Sequence, residues 1–265
     1  MFLLLVMSFP VMVQAQEIPD TTGYGTEKEG KVSVDFGADL VSRFIWRGQD
    51  FGQSPAIQPA FSVSAWGFTL GAWGSYGFSR YAIKLNDSTT VDVNYVETDL
   101  FLSYTWKYFT LMLFDYYAPY PAIDSLDGNN YFNYRNQSTL HTLEGSLIFN
   151  GPEKFPLQLL VATMFYGADK DKDSTGAVGA GDKNNYSTYL EISYPFYLKG
   201  FELKPFIGGI PFESSWYGDR AGITCFGLES RKEIPVTKRF SIPVKVTLMA
   251  NPMAKKVYFV FGITL

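Results

Sequence analysis

The sequence predicts an all-β chain, a transmembrane antiparallel up-and-down β-barrel of about twelve strands. Three observations carry the prediction. Apolar residues recur at every second position through segments of about ten residues, the length of a tilted strand crossing a bilayer. The connections between these segments alternate between short and long. Aromatic residues make up 17% of the chain and gather beside the short connections, where rings settle at a membrane interface.

The chain begins MFLLLVMSFPVMVQAQEIP, with an apolar run from Phe2 to Val13 and a small-residue cleavage pattern at Val13-Gln14-Ala15. Residues 1–15 therefore read as a cleavable signal peptide, although no basic residue precedes the run. Residues 16–30 are polar and read as a flexible segment, leaving 31–265 for the barrel. Nowhere do about 18 apolar residues follow one another, so no transmembrane helix is expected.

The alternating segments lie at 31–46, 56–65, 68–78, 93–106, 108–117, 138–149, 156–166, 186–198, 201–212, 221–231, 239–249 and 256–265. Short joints fall at Trp66-Gly67, Lys107 and Lys199-Gly200, with 150–155 and 232–238 somewhat longer. Between them come the connections 48–55, 79–92, 118–137, 167–185 and 213–220, and the brief 251–255. A barrel with tight turns at one rim and loops at the other sorts its connections this way; a soluble sandwich has no reason to.

Facing follows from the period. In the first segment Val34, Phe36, Ala38, Leu40, Phe44 and Trp46 are assigned to lipid, and Asp35, Asp39, Arg43 and Arg47 to the lumen. Leu100, Leu102, Tyr104 and Trp106 oppose Glu97, Asp99, Ser103 and Thr105 in the same manner, and Leu190 and Ile192 oppose Glu191. In the last segment Val257, Phe259, Phe261, Ile263 and Leu265 form an apolar face that continues to Leu265. A Lys or Arg facing lipid near the midplane costs about 2–4 kcal/mol, which explains why charges collect on the other face. Pro55, Pro59, Pro195, Pro205 and Pro243 fit poorly inside central strands and blur the boundaries.

Residues 41–78, VSRFIWRGQDFGQSPAIQPAFSVSAWGFTLGAWGSYGF, resemble the TorF-type porin family. The family's pattern is an aromatic-Arg-Gly closing the first strand, Pro-Ala and Gln opening the second, then a Gly-x-Trp-Gly-Ser strand. Here these are Trp46, Arg47 and Gly48; Pro55, Ala56 and Gln58; and Gly71, Trp73, Gly74 and Ser75. The ending KEIPVTKRFSIPVKVTLMANPMAKKVYFVFGITL is similar to the family's closing hairpins with their Asn-Pro loop. The resemblance implies a barrel of this type and a channel, without a settled substrate. Two features depart from it, the terminal Leu265 where Phe is commoner and the charged insertion 169–182.

Composition narrows the chemistry. A net charge of −4 and a mean hydropathy of −0.02 offer no basic surface for nucleic acid. A single cysteine, Cys225, forms no internal disulfide and no paired-cysteine zinc site. The only histidine, His141, falls on the lipid-facing side of its strand with Leu143, Gly145 and Leu147. Outer-membrane phospholipase A resembles this in carrying an outward His, but pairs it with a Ser two residues on. Here that position is Leu143, so the nucleophile is missing and no enzyme is expected. Asp169, Asp171 and Asp173 alternate with lysines but lack the glycine and distal Glu of a calcium loop, and the segment reads as a solvated loop. No cofactor is expected.

What remains is the lumen. Arg43, Arg47, Arg231 and Lys245 are expected along one wall, and Asp35, Asp39, Glu97, Asp99, Glu144 and Glu191 along another. Opposed charges of this kind select solutes by charge and size. They can equally pair and fill the interior, since a barrel of about eight strands is packed while one of sixteen is open. The expected role is passive diffusion of small hydrophilic solutes, selected near Arg47. A structural barrel binding a partner through loop 118–137 is the alternative, and a lipid hydrolase the third. Outer-membrane lipid and the barrel assembly machinery are the other expected partners.

Overall fold

The computed structural model describes residues 32–86, 89–120, 127–174, 179, 181–237 and 240–265; the expected signal peptide and flexible segment lie outside them. Among the described residues the strands are β1 (Ser33–Val41), β2 (Phe44–Trp46), β3 (Gln49–Phe51), β4 (Ala56–Ala65), β5 (Phe68–Asn86), β6 (Thr89–Trp106), β7 (Phe109–Tyr117), β8 (His141–Asn150), β9 (Gln158–Gly167), β10 (Thr188–Ser193), β11 (Phe196–Leu198), β12 (Phe201–Ile210), β13 (Gly222–Thr237), β14 (Phe240–Asn251) and β15 (Lys256–Thr264).

β2 and β3 form a separate hairpin, and every other strand joins one antiparallel sheet. β10 and β11 both pair with β12, so they are one strand interrupted at Tyr194-Pro195, where proline offers no N–H. The wall therefore has twelve strands. It closes where β1 meets β15 through Asp39↔Thr264, Leu40↔Ile263 and Val41↔Gly262. The Leu265 N–H extends this seam, donating to the Ala38 carbonyl at 2.9 Å. Closure removes the sheet edges that would otherwise need covering.

The short-turn rim is made by residues that accept left-handed backbone. Trp66 and Gly67 have φ of 53° and 82°, and Lys199 and Gly200 have 52° and 79°, the two-residue turn whose twist matches flanking strands. Above this rim the outward side chains are large and apolar. Phe36, Leu70, Leu111, Leu113, Leu248 and Phe259 all lie open on the outer surface, while their strand neighbours turn inward. An unbroken apolar exterior on a closed sheet is the surface of a membrane-embedded barrel.

Four boundaries differ from the sequence expectation. The first wall strand ends at Val41, not at residue 46, because Phe44 and Trp46 find apolar partners inside the barrel and leave the wall. Within the expected loop 79–92, residues 79–86 continue β5 and residues 89–92 belong to β6, with Arg80 across from Asn94. Arg80 there is exposed, as expected of a strand rising beyond the apolar band, where lipid no longer demands greasy side chains. The expected connection 232–238 is largely strand, since β13 runs to Thr237. The segment 186–198 is split at Pro195.

Candidate functional site

After Val41 the chain stays at the wall for one residue. The Ser42 N–H donates to the Phe261 carbonyl at 2.7 Å, and Ser42 Oγ accepts the Phe261 N–H at 2.9 Å. It then turns into the lumen as β2, reverses at Arg47-Gly48, and returns as β3. With φ of 49° and 83°, these two residues make the tight primed turn for which an X-Gly pair is suited. The turn also requires glycine for space: a Cβ on Gly48 would lie 2.1 Å from the Thr224 carbonyl oxygen on β13. Asn251, at the end of β14, holds the turn by donating from Nδ2 to the Gly48 carbonyl at 3.0 Å.

The hairpin is packed by aromatic rings. Phe44 lies 5.5 Å from Trp73 on β5 and 5.7 Å from Tyr95 on β6. Trp46 lies 5.5 Å from Tyr116 on β7 and 5.6 Å from Tyr217. Phe51 adds a contact with Tyr95 at 5.3 Å. Burying a side chain such as Phe44 contributes about 1.5–3 kcal/mol, and each ring pair roughly 0.5–1.5 kcal/mol more. Phe44 and Trp46 are thus lumen residues, correcting their assignment to lipid, and the hairpin reaches from β1 across the interior.

Arg47 is at its tip. Nη1 and Nη2 bind the two carboxylate oxygens of Glu144 on β8 at 2.5 and 2.8 Å, and Nη1 also donates to the Tyr217 hydroxyl at 2.6 Å. The guanidinium lies 4.5 Å from the Trp46 ring centroid and 4.7 Å from that of Tyr189. Both partners of the ion pair are buried, with side-chain exposures of 8% and 1%. Glu144 Oε1 accepts further bonds from Tyr116 at 3.1 Å and Ser146 at 2.9 Å, so the carboxylate is held from the wall as well as from the hairpin. Burial raises the Tyr217 phenol well above its ordinary pKa, against the opposing charge of Arg47, and Tyr217 stays a neutral acceptor. Arg47 was expected at the lumen-facing rim of the first strand; it is instead carried inward on a turn.

Four of the motif residues make this hairpin or touch it. Trp46, Arg47 and Gly48 make its tip, and Trp73 is the floor beneath Phe44. Gly71 leaves room for Phe101, whose Cζ would lie 2.3 Å from a Cβ there. Gln58 donates to Ser75 Oγ at 3.3 Å, and both are fully buried on the lumen face of β4 and β5. Ala56 and Gly74 are buried beside them, while Pro55 marks the return to the wall and accepts the Phe78 N–H at 2.9 Å.

The remaining charges fall into two groups. Asp39 accepts a bond from Thr264 at 2.6 Å, Glu97 one from Tyr95 at 2.6 Å, Glu191 one from Tyr189 at 2.6 Å, and Asp99 the Tyr117 N–H at 3.2 Å. Arg43 pairs with Asp50 at 3.1 Å across the base of the hairpin. Asp35 is partly buried on the inner face of β1. Nearer the short turns Arg231 binds Glu229, Lys204 lies 3.9 Å from the same carboxylate, and Lys245 is the cross-strand neighbour of Arg231. That end of the lumen is polar, with Ser64 bonded to Thr69 at 2.8 Å and Thr105 to Thr110 at 2.9 Å.

Sequence reasoning missed Glu229, Lys204 and the tyrosines. Glu229 shares the inner face with Arg231 two residues on, a signal that period two contains. Tyr217 comes from a loop, where no periodicity assigns a side.

His141 requires a correction. It faces outward in register with Leu143, but is completely buried, because the loop before β8 folds over it outside the barrel. Nδ1 lies 2.7 Å from Asp115 Oδ1 and Nε2 2.6 Å from the Tyr131 carbonyl, with the Tyr134 ring stacked at 4.0 Å. Tyr134 donates to the second Asp115 oxygen at 2.6 Å, and burial with that hydrogen bond raises its pKa, keeping the phenol protonated. The cluster ties the loop to the rim. Asp169 is likewise buried, not solvated, accepting from Ser187 N at 2.8 Å and from Ser187 and Ser215 Oγ at 2.6 Å each.

No family model matches the chain, and no curated protein matches it. Among solved structures it is similar to two mutants of the Rhodobacter blastica porin. One is 10% identical at a TM-score of 0.35 and the other 9% at 0.33, each comparison covering 89% of this chain and 99% of the porin chain.

Proposed function

We propose that the chain is an outer-membrane channel of the porin kind in which the β2–β3 hairpin sets the opening of the lumen. Small hydrophilic solutes cross by diffusion, and selection acts where the hairpin tip meets β8. The observation that carries the reading is the Arg47–Glu144 pair, a charged contact inside an apolar-coated barrel between an inserted turn and the wall. Charged groups facing each other across a narrow lumen set solute size and ion preference. The resemblance of residues 41–78 to the TorF-type porins supports the same reading, as does the polar lumen below the hairpin.

A second reading, a structural barrel without an open pore, is favoured by the aromatic packing of Phe44 and Trp46 against β5, β6 and β7. Conductance in a planar bilayer separates the two. The refolded protein and its Arg47→Glu variant are compared, with reversal potentials under a salt gradient. In the channel reading the variant, which sets two carboxylates face to face, conducts more and shifts toward cations. A folded barrel that conducts in neither form leaves the structural reading.

A further inference from the structure

We infer that the barrel wall carries a guanidinium-recognition site, occupied in cis by Arg47, and that the solutes able to displace the hairpin are small molecules bearing a guanidinium group. The inference rests on the channel reading for its physiological meaning but not for its test.

The site has the form of a receptor. Two bonds run from Nη1 and Nη2 to the two oxygens of Glu144, a fork that guanidinium fits and ammonium does not. The Tyr189 ring covers one face of the cation and Trp46 packs against it as well. Tyr217 accepts a further bond. Of these groups only Trp46 belongs to the hairpin.

Each of the others also has a partner outside the hairpin, although Tyr116 and Tyr217 pack against Trp46 and Gln49 donates to the Tyr217 carbonyl at 3.4 Å. Glu144 is oriented by Ser146 on its own strand and Tyr116 on β7. The Tyr189 hydroxyl donates to Glu191 at 2.6 Å and lies 3.1 Å from Cys225 Sγ. Gly208 on the neighbouring strand β12 makes room for that hydroxyl, since a Cβ there would sit 2.0 Å from it. The Tyr217 N–H donates to Ser214 Oγ at 3.1 Å. Withdrawal of the hairpin leaves the bonds to Ser146, Glu191 and Ser214, which keep the carboxylate, the Tyr189 ring and the Tyr217 segment about the vacated cation position. A preorganised site of this kind binds without the cost of ordering its own side chains.

The test uses the Arg47→Ala variant in detergent, titrated with methylguanidinium while the fluorescence of Trp46 and Trp216 beside the site is followed. Saturable binding is expected, roughly tenfold tighter than that of methylammonium, the discrimination lost when one fork is replaced by a point charge. Adding Glu144→Gln should abolish it. Should Arg47→Ala not fold, the wild type answers alone: methylguanidinium, and not methylammonium at equal concentration, should expose the Arg47-Gly48 bond to trypsin. Equal response to both cations, or binding that survives Glu144→Gln, overturns the inference. Because neither measurement needs a pore, a barrel that binds methylguanidinium but never conducts would sink only the channel reading.

Discussion

Gly48 and Thr224 touch backbone to backbone: the turn of the inserted hairpin passes so near β13 that a methyl group on Gly48 would lie 2.1 Å from the Thr224 carbonyl oxygen. The hairpin thus bridges two parts of the wall, Glu144 on β8 through Arg47 and the β13–β14 side through Gly48.

Gly48→Ala is expected to dislodge the tip without unfolding the barrel. Left-handed backbone costs an L-residue about 1–2 kcal/mol, and the clash with a carbonyl adds to it. The variant should retain the electrophoretic mobility shift of a folded barrel on unheated gels and show raised conductance. Unaltered conductance would mean that the turn adjusts within the lumen.

Glu144→Gln removes one charge of a buried pair and leaves the other. Breaking such a pair costs about 3–5 kcal/mol, which here falls on the hairpin contact more than on the strand ladder. Trypsin should then cut after Arg47 at least several-fold faster than in the wild type. Replacing both partners, as Arg47→Met with Glu144→Met, should recover protection of the hairpin at Arg43. If the single variant is cleaved no faster, the ion pair is not what retains the tip.

His141→Phe keeps a flat ring beneath Tyr134 but deletes the bonds to Asp115 and to the Tyr131 carbonyl. Two lost hydrogen bonds, one to a carboxylate, amount to about 2–4 kcal/mol of local stability. Hydrogen exchange over residues 127–140 should accelerate, while that of β7 and β8 below the rim stays as it was. Uniform acceleration along the strands would assign His141 to the wall and not to the loop.

Leu113→Arg places a cation on the outer face of β7, where Leu113 is open to the surroundings. Unfolding from lipid vesicles by urea should show a loss of about 2–4 kcal/mol if this position lies near the midplane. Met112→Gln, one residue along and fully buried inside, should not depend on whether the barrel sits in lipid or detergent.

Strand existence and facing were legible because a membrane wall imposes period two on every residue it contains. β4, β7 and β12 lie within two residues of their expected limits. Boundaries failed where a strand leaves the bilayer, as at Arg80, because the apolar requirement ends there while hydrogen bonding to Asn94 continues. The first strand failed differently. Phe44 and Trp46 continue the period of Val34 and Phe36, and periodicity does not distinguish a ring facing lipid from a ring packed on Trp73 inside.

By itself, then, the sequence determined a barrel of alternating strands and its apolar exterior, both consequences of local period. Tertiary structure decided which charges meet. Arg47 reaches Glu144 over a separation of 97 residues, and His141 is covered by a loop that approaches from outside. Such contacts depend on how the closed sheet curves one strand toward another and on where a two-residue turn aims its side chain, and neither is encoded in the alternation of neighbouring residues.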